Sequence, residues 1–208
     1  MKYLMFPILS LLCFVACKKP AIEAINTNNT KDSLTYQPKV PGSRWIYVRT
    51  ALGQNVTYNF TRLTYDTSAY GNSFPVFSSD VDPNQYIRQD VNKYYTILTG
   101  STLKPELLVL DVSKNVNESW VGGTNGNDTY TYTIKDKIPS YVLDGFTFKN
   151  VIKVYSERTT TSGGVTSVTL SGNVYYAQGI GQIQLDGYVV VSGNQVPVTT
   201  KVINVDLK

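Results

Sequence analysis

The sequence predicts an all-β fold: one antiparallel meander, shaped as a curved half-barrel or a β-sandwich, that follows a disordered tether. From Val40 onward, β-branched or aromatic residues alternate with polar ones in short runs separated by Gly, Asn, Asp and Ser clusters. No window of helical length has a sustained apolar spacing of three to four residues. Closely spaced strands with short turns favour a meander, and we prefer the curved sheet because long twisted sheets curl.

The chain begins with a secretory signal pattern. Met1-Lys2-Tyr3 precedes an apolar run from Leu4 to Val15, and polarity changes abruptly at Lys18-Lys19. A membrane-spanning helix needs about 20 apolar residues, and this run is shorter. We therefore interpret residues 1–16 as a signal peptide that is removed.

The end of this segment, Phe14-Val15-Ala16-Cys17, resembles the lipobox of bacterial lipoproteins. The resemblance implies cleavage before Cys17 and a diacylglycerol on its sulfur, so that Cys17 is the predicted lipidation site. The alternative is an ordinary secreted protein in which this cysteine falls here by chance. The only other cysteine, Cys13, would leave with the signal, so the mature chain could form no internal disulfide. Lys18, where inner-membrane lipoproteins carry Asp, implies an outer-membrane destination, on either the periplasmic or the surface face.

Residues 17–38 predict a flexible tether, because they are poor in large apolar residues and show no sustained period. Treated as a flexible coil, some twenty such residues span roughly 25 Å. Asp32-Ser33-Leu34 resembles a Bacteroidota O-glycosylation motif, but a solvated linker is the preferred interpretation. Residues 39–208 then form one β domain.

Alternation within the domain predicts its strands and turns. Tyr130, Tyr132 and Ile134 share one face, which we expect to be buried. Asp82 to Val91 could hold one helical turn. Hairpin turns are expected at 52–55, 162–164 and 192–194. Strands are expected at 44–50, 55–65, 93–98, 107–112, 129–135, 151–159, 166–170, 174–177, 181–185, 188–191 and 198–207.

The composition argues against catalysis and against nucleic-acid binding. The chain has no histidine, which removes the usual general base near neutral pH, and lipidation of Cys17 would leave no thiol nucleophile. No catalytic residue is predicted, and the protein is not expected to be an enzyme. Loss of Lys2 with the signal lowers the formal charge from +4 to +3, and the remaining basic residues are scattered, whereas nucleic-acid binding calls for a clustered patch.

Two short motifs resemble parts of metal or nucleotide sites. Asp80-x-Asp82-x-Asn84 has the spacing that opens a calcium loop, but Gln85 and Val91 stand where Gly and Glu are needed. Gly179-x-Gly181 lacks the third glycine and the following helix of a dinucleotide site, so a bend or bulge is expected there. We predict no metal site and no cofactor.

Sixteen tyrosines and two tryptophans distinguish the composition. They could form an aromatic platform for sugar rings or line an apolar groove. They could equally be ordinary core residues of a sheet, since Tyr is a good strand former, and this is the preferred interpretation for any single tyrosine. Ligand-binding residues therefore cannot be named from the sequence.

Several segments resemble uncharacterised Bacteroidota envelope lipoproteins. Their mature domain often opens with Pro-x-x-x-Gly-x-x-Trp-x-Tyr, and this chain has Pro38, Gly42, Trp45 and Tyr47 at those places. The resemblance resumes at Trp120, at Tyr130 to Ile134, at Gly145 to Val154 and at Tyr175-Tyr176-Ala177-Gln178-Gly179-Ile180-Gly181. It implies a location and a fold class but no catalytic residue.

The sequence thus predicts a membrane-anchored, non-enzymatic lipoprotein of the cell envelope. Its partners would be the membrane, through lipid on Cys17, and an unknown small apolar or glycan ligand. The alternative is a structural or interaction subunit of an envelope protein complex. An enclosed apolar cavity would favour the ligand, and an exposed apolar patch would favour the protein partner.

Overall fold

The computed structural model describes residues 35–98 and 105–208, which form twelve β-strands and contain no helix. Most strands are joined by tight turns, as an antiparallel meander requires. The strands are β1 Arg44–Ala51, β2 Gln54–Ala69, β3 Asn72–Ser79, β4 Gln85–Asp90, β5 Lys93–Ile97, β6 Glu106–Asp111, β7 Ser119–Asn125, β8 Asp128–Leu143, β9 Phe146–Ser162, β10 Val165–Ala177, β11 Gly181–Val191 and β12 Asn194–Asp206.

All twelve strands belong to one sheet, in the order β6-β5-β4-β3-β2-β1-β12-β11-β10-β9-β8-β7. Every pair is antiparallel, and β1 pairs with both β2 and β12. The sheet curls until its edge strands meet: on β7, Trp120 Nε1 donates a hydrogen bond to Leu108 O on β6, at 2.8 Å. The predicted all-β meander is confirmed, and of the two predicted shapes the structure has the curved single sheet, in a nearly closed, barrel-like form.

The three predicted hairpin turns are present. Leu52-Gly53, Gly163-Gly164 and Ser192-Gly193 each connect paired strands, and both residues of every pair have positive φ. Positive φ at both central positions is the requirement of the type I′ turn, whose twist matches that of the flanking strands.

The strand predictions were incomplete. The helical turn expected within Asp82–Val91 was wrong, because Gln85–Asp90 is β4, paired with β3 and β5. Strands β3 and β7 were also missed. In the second half, β10 and β11 are continuous where two strands each had been predicted.

Two clusters of buried side chains hold the sheet together. The larger contains Trp45, which is almost fully buried and donates a hydrogen bond from Nε1 to Ile180 O at 2.8 Å. The smaller contains Tyr132 and Ile134, with Tyr130 packed against it, so the predicted core face of β8 is confirmed. The larger cluster comprises Trp45, Tyr47, Tyr58, Phe60, Phe77, Leu143, Phe146, Phe148, Val151, Tyr175, Ala177, Ile180, Ile183 and Val202.

The packed part of the chain starts before residue 39. Tyr36 is only 7% exposed and belongs to the smaller cluster. Gly179 N donates a hydrogen bond to Thr35 O at 2.7 Å. Residues 35–38, placed in the tether by the sequence, thus lie against the sheet. Across residues 35–98 and 105–208, no helix is long and apolar enough to cross a membrane.

Candidate functional site

A cavity of about 180 Å³ lies where the two core clusters meet. Tyr47, Tyr58 and Phe60 reach it from the larger cluster, and Tyr36 and Tyr94 from the smaller. None of its lining residues carries a formal charge, and five are tyrosines. The lining comprises Tyr36, Gln37, Tyr47, Tyr58, Phe60, Gln85, Ile87, Tyr94, Thr96, Val109, Leu110, Tyr176 and Gln182.

Strands β1 and β2 supply a fixed aromatic wall. Tyr47 and Tyr58 are direct cross-strand partners, and their rings stack with centroids 5.4 Å apart. The Tyr47 hydroxyl donates a hydrogen bond to Gln182 O at 2.7 Å, which ties the wall to β11. The Arg49 guanidinium lies 5.0 Å from the Tyr58 ring centroid and is paired with Asp82. Both residues of this wall are therefore oriented before any ligand arrives.

The segment before β1 forms a second wall. The Tyr36 backbone N–H donates to the Tyr94 hydroxyl at 2.7 Å, and the two rings meet edge to face at 6.3 Å. Tyr36 also lines a second cavity, of about 320 Å³, which is bordered by Lys137, Asn150 and Gln178 among others. One side chain at the start of the packed chain thus borders both cavities.

Tyr176 is the tyrosine of the cavity with the fewest protein partners. A register shift between Tyr175 and Tyr176 interrupts the pairing of β10 with β11, and Tyr176 lies opposite Gln182. Within residues 35–98 and 105–208, its ring stacks on no other ring and its hydroxyl forms no hydrogen bond. Tyr176 lines the cavity, and its hydroxyl is accessible to a partner there.

Burial keeps the cavity tyrosines protonated. It raises the pKa of Tyr176 far above its ordinary value. It raises the pKa of Tyr36 to about 12, with a smaller contribution from Tyr94. Tyr47 is shifted strongly in the same direction, so its pKa is also raised mainly by burial. These hydroxyls are therefore neutral hydrogen-bond donors at physiological pH rather than bases or nucleophiles.

The cavity wall presents neutral side chains, with no Asp, Glu, Lys or Arg among the residues that line it. Among the described residues, no group of three His, Cys, Asp or Glu side chains could hold a metal ion. Neutral hydroxyls, side-chain amides and aromatic rings recognise a ligand by hydrogen bonding and packing.

The residues singled out by sequence fall in different places. Cys17 and Asp32-Ser33-Leu34 lie outside the described residues. Asp80 accepts hydrogen bonds from Asn59 N and Nδ2, whereas Asp82 pairs with Arg49, so the two carboxylates serve separate partners. Gly179 and Gly181 lie in and next to the turn between β10 and β11, both with positive φ, which confirms the predicted bend.

The cavity residues themselves were missed by sequence reasoning. The Tyr-rich composition was the only signal for them, and it could not distinguish core from cavity. Tyr175-Tyr176 belongs to a motif that indicates architecture and names no site. The adjacent residues go to different surroundings, because Tyr175 belongs to the larger cluster and Tyr176 packs against the smaller.

Comparison with known proteins shows a likeness of fold. No family model matches this chain, and no curated protein matches it either. A Bacteroides fragilis protein described as a "putative exported protein with YmcC-like fold" aligns over 81% of this chain and 97% of its own, with 10% identity and a TM-score of 0.51. A "putative lipoprotein" from Parabacteroides distasonis aligns over 85% of this chain and 100% of its own, with 13% identity and a TM-score of 0.48.

Proposed function

We propose that the protein is a non-enzymatic lipoprotein of the cell envelope that binds a small neutral ligand in the tyrosine-lined cavity. The location in the cell envelope rests on the signal pattern of residues 1–16 and on the lipobox-like end at Cys17. The fold shared with a protein described as exported agrees with that location. Membership of the Bacteroidota lipoproteins that the motifs resemble, and an outer-membrane anchor facing the periplasm or the surface, belong to the same proposal.

One observation carries the binding proposal: the cavity contains polar groups without protein partners. Across the described residues, neither the Tyr176 hydroxyl nor the side-chain amide of the buried Gln37 is hydrogen-bonded. No buried side-chain nitrogen or oxygen of the described residues lacks a hydrogen-bond partner, so these two groups are accessible rather than sealed in the core. Because both residues line the cavity, water or a ligand there can pair with them.

The lipid anchor is tested by the variant Cys17→Ser, with Cys13→Ser as the matched control. Loss of the sulfur removes the acyl acceptor, so we expect Cys17→Ser to abolish metabolic labelling with a radioactive fatty acid. Cys13→Ser should keep full labelling, because Cys13 lies within the predicted signal peptide. Equal labelling of the two variants would refute the lipid anchor.

Ligand binding is tested on the mature chain without its acylated cysteine, residues 18–208, exported to a periplasm behind a cleavable signal peptide. We expect native mass spectrometry of the detergent-free protein to show one bound small molecule per chain. Extraction with organic solvent and fragmentation would then identify its class. A mass equal to that of the bare chain under the gentlest conditions would count against a tightly held ligand.

A protein-interaction role remains the second candidate, because exposed aliphatic side chains lie at or beside hairpin turns. Leu52 is 77% exposed and Val165 is 70% exposed, in the β1–β2 and β9–β10 hairpins. The chain segments 50–61 and 159–170 contain no charged residue. Such uncharged tips could contact another envelope protein.

A further inference from the structure

We infer that the cavity takes a single neutral sugar ring rather than an acyl chain, and that the Tyr176 hydroxyl donates a hydrogen bond to it. This inference rests on the proposed function and narrows it from a small neutral ligand to one chemical class. Four features carry it: the size of the cavity, the chemistry of its wall, its lack of charge and the position of Tyr176.

The size of the cavity limits the ligand to one ring. A cavity of roughly 150 Å³ holds a benzene molecule. The present cavity, of about 180 Å³, is slightly larger and holds one six-membered ring with small substituents. A long acyl chain would need more room than this cavity provides.

The wall is too polar for a hydrocarbon. Sites for purely apolar ligands are lined mainly by aliphatic and aromatic carbon, with few polar groups. Here the lining includes Gln37, Gln85 and Gln182, whose side chains carry amides, and Thr96, whose side chain carries a hydroxyl. A hydrocarbon would leave these donors and acceptors unpaired, whereas ring hydroxyls can pair with them. Aromatic rings beside the amides supply the apolar contact that the C–H face of a sugar requires.

The lack of charge in the wall selects against ionic ligands. None of the thirteen lining residues is Asp, Glu, Lys or Arg. An ionised carboxylate or ammonium on the ligand would lose its hydration without gaining a counter-charge, which is costly in a buried site. The nearby Arg49 is already paired with Asp82. A neutral sugar avoids this cost, but a uronic acid does not.

Tyr176 gives the cavity one directed donor. Its hydroxyl, like that of Tyr36, has no hydrogen-bond partner among the described residues, while those of Tyr47 and Tyr94 are held by backbone groups. A sugar ring seated here would gain a hydrogen bond from this hydroxyl.

The test measures binding of four probes to the mature chain by ligand-observed saturation-transfer NMR: methyl glucoside, N-acetylglucosamine, glucuronate and hexanol. We expect the two neutral sugars to bind and glucuronate and hexanol to bind at least tenfold more weakly. Tyr176→Phe removes only an unpartnered hydroxyl, so the fold should survive. Binding of the sugars should weaken about tenfold, the usual value of one hydrogen bond.

Two further variants keep the result interpretable. Tyr188→Phe, on β11 outside the cavity lining, should leave affinity unchanged. Gln182→Met should weaken sugar binding independently of Tyr176, and thermal unfolding of each variant checks the fold.

Each result that differs from these expectations would overturn a different claim. Binding of hexanol without the sugars would overturn the sugar inference while leaving the binding proposal intact. Glucuronate binding as tightly as methyl glucoside would overturn the neutral-ligand argument. Failure of all four probes, together with a bare mass for the chain purified from the periplasm, would remove the binding proposal itself. Unchanged sugar affinity in Tyr176→Phe would remove Tyr176 from the site.

Discussion

Leu52 occupies a backbone conformation that leucine rarely adopts. It has φ of 51° at the first position of the β1–β2 turn, where Asn and Gly are the preferred residues. In left-handed backbone its Cβ crowds the following carbonyl, at a cost of roughly 1–2 kcal/mol. The side chain is 77% exposed, so little burial offsets this cost. The residue is therefore a place where stability can be gained.

Leu52→Asn should stabilise the domain by about 1 kcal/mol, because Asn tolerates positive φ and forms the favoured Asn-Gly turn with Gly53. The measurement is urea unfolding, and the midpoint should rise without a change in slope. Gly53→Ala is the opposite control, since φ of 73° at that position should make it destabilising. A midpoint lowered by Leu52→Asn would show that the leucine makes contacts that outweigh its strain.

Single tyrosines show where reasoning from sequence succeeds and where it stops. Tyr132 could be assigned to the core because it alternates with threonines and shares a face with Ile134. Tyr36 has no periodic neighbours, and its burial depends on long-range contacts with Tyr94, which local sequence does not encode. Tyr176 lies opposite Gln182 across an irregularity in which β11 has one extra residue, Ile183, and the local sequence around Tyr176 does not encode that pairing. The candidate site was missed for these two reasons.

At the scale of elements, alternation detected half-buried strands and missed the others. Strand β3 contains Phe74-Pro75-Val76-Phe77, four buried residues in a row, so it shows no period of two. Strand β7 contains Gly122-Gly123, which the composition places in a turn. Predicted ends were also too early in β8, which continues beyond a register shift between Ile134 and Asp136.

Glycines inside β10 and β11 explain why each was predicted as two strands. Gly172 and Gly187 are direct partners across the two strands. A Cβ added to Gly172 would lie 2.7 Å from Asp186 O, which is closer than real Cβ contacts. The pair thus permits close backbone approach within a continuous ladder. In the sequence alone, the same glycines indicate breaks between strands.

An irregularity in β2 is stabilised by a buried arginine. Between Arg62 and Asp66 the pairing with β3 shifts register, which frees backbone carbonyls from the ladder. The Arg62 guanidinium donates to Leu63 O and Tyr65 O, and it pairs with Asp66. The backbone carbonyls freed by the shift are therefore hydrogen-bonded by Arg62, which allows β2 to continue as one long strand.

At the scale of the whole molecule, the contact between β6 and β7 determines how far the sheet closes. These edge strands are not paired with one another in the sheet, but Trp120 bridges them through its hydrogen bond to Leu108 O. A Cβ on Gly122 would lie 2.6 Å from the same carbonyl oxygen. The absence of a side chain at Gly122 is thus what lets β7 approach β6. Since Val109 and Leu110 of β6 line the cavity, closure also shapes the candidate site.

Gly122→Val should therefore open this contact. The added side chain would collide with the β6 backbone and with Tyr132, and such overpacking costs about 1–3 kcal/mol. We expect a lower urea midpoint and faster amide hydrogen exchange in β6 and β7, with little change in β1 and β12. Val121→Ala, at a neighbouring residue that is 60% exposed, should change stability by no more than about 0.5 kcal/mol. If Gly122→Val left both stability and exchange unchanged, the edge strands would not meet in solution, and the cavity would lack the β6 side of its wall.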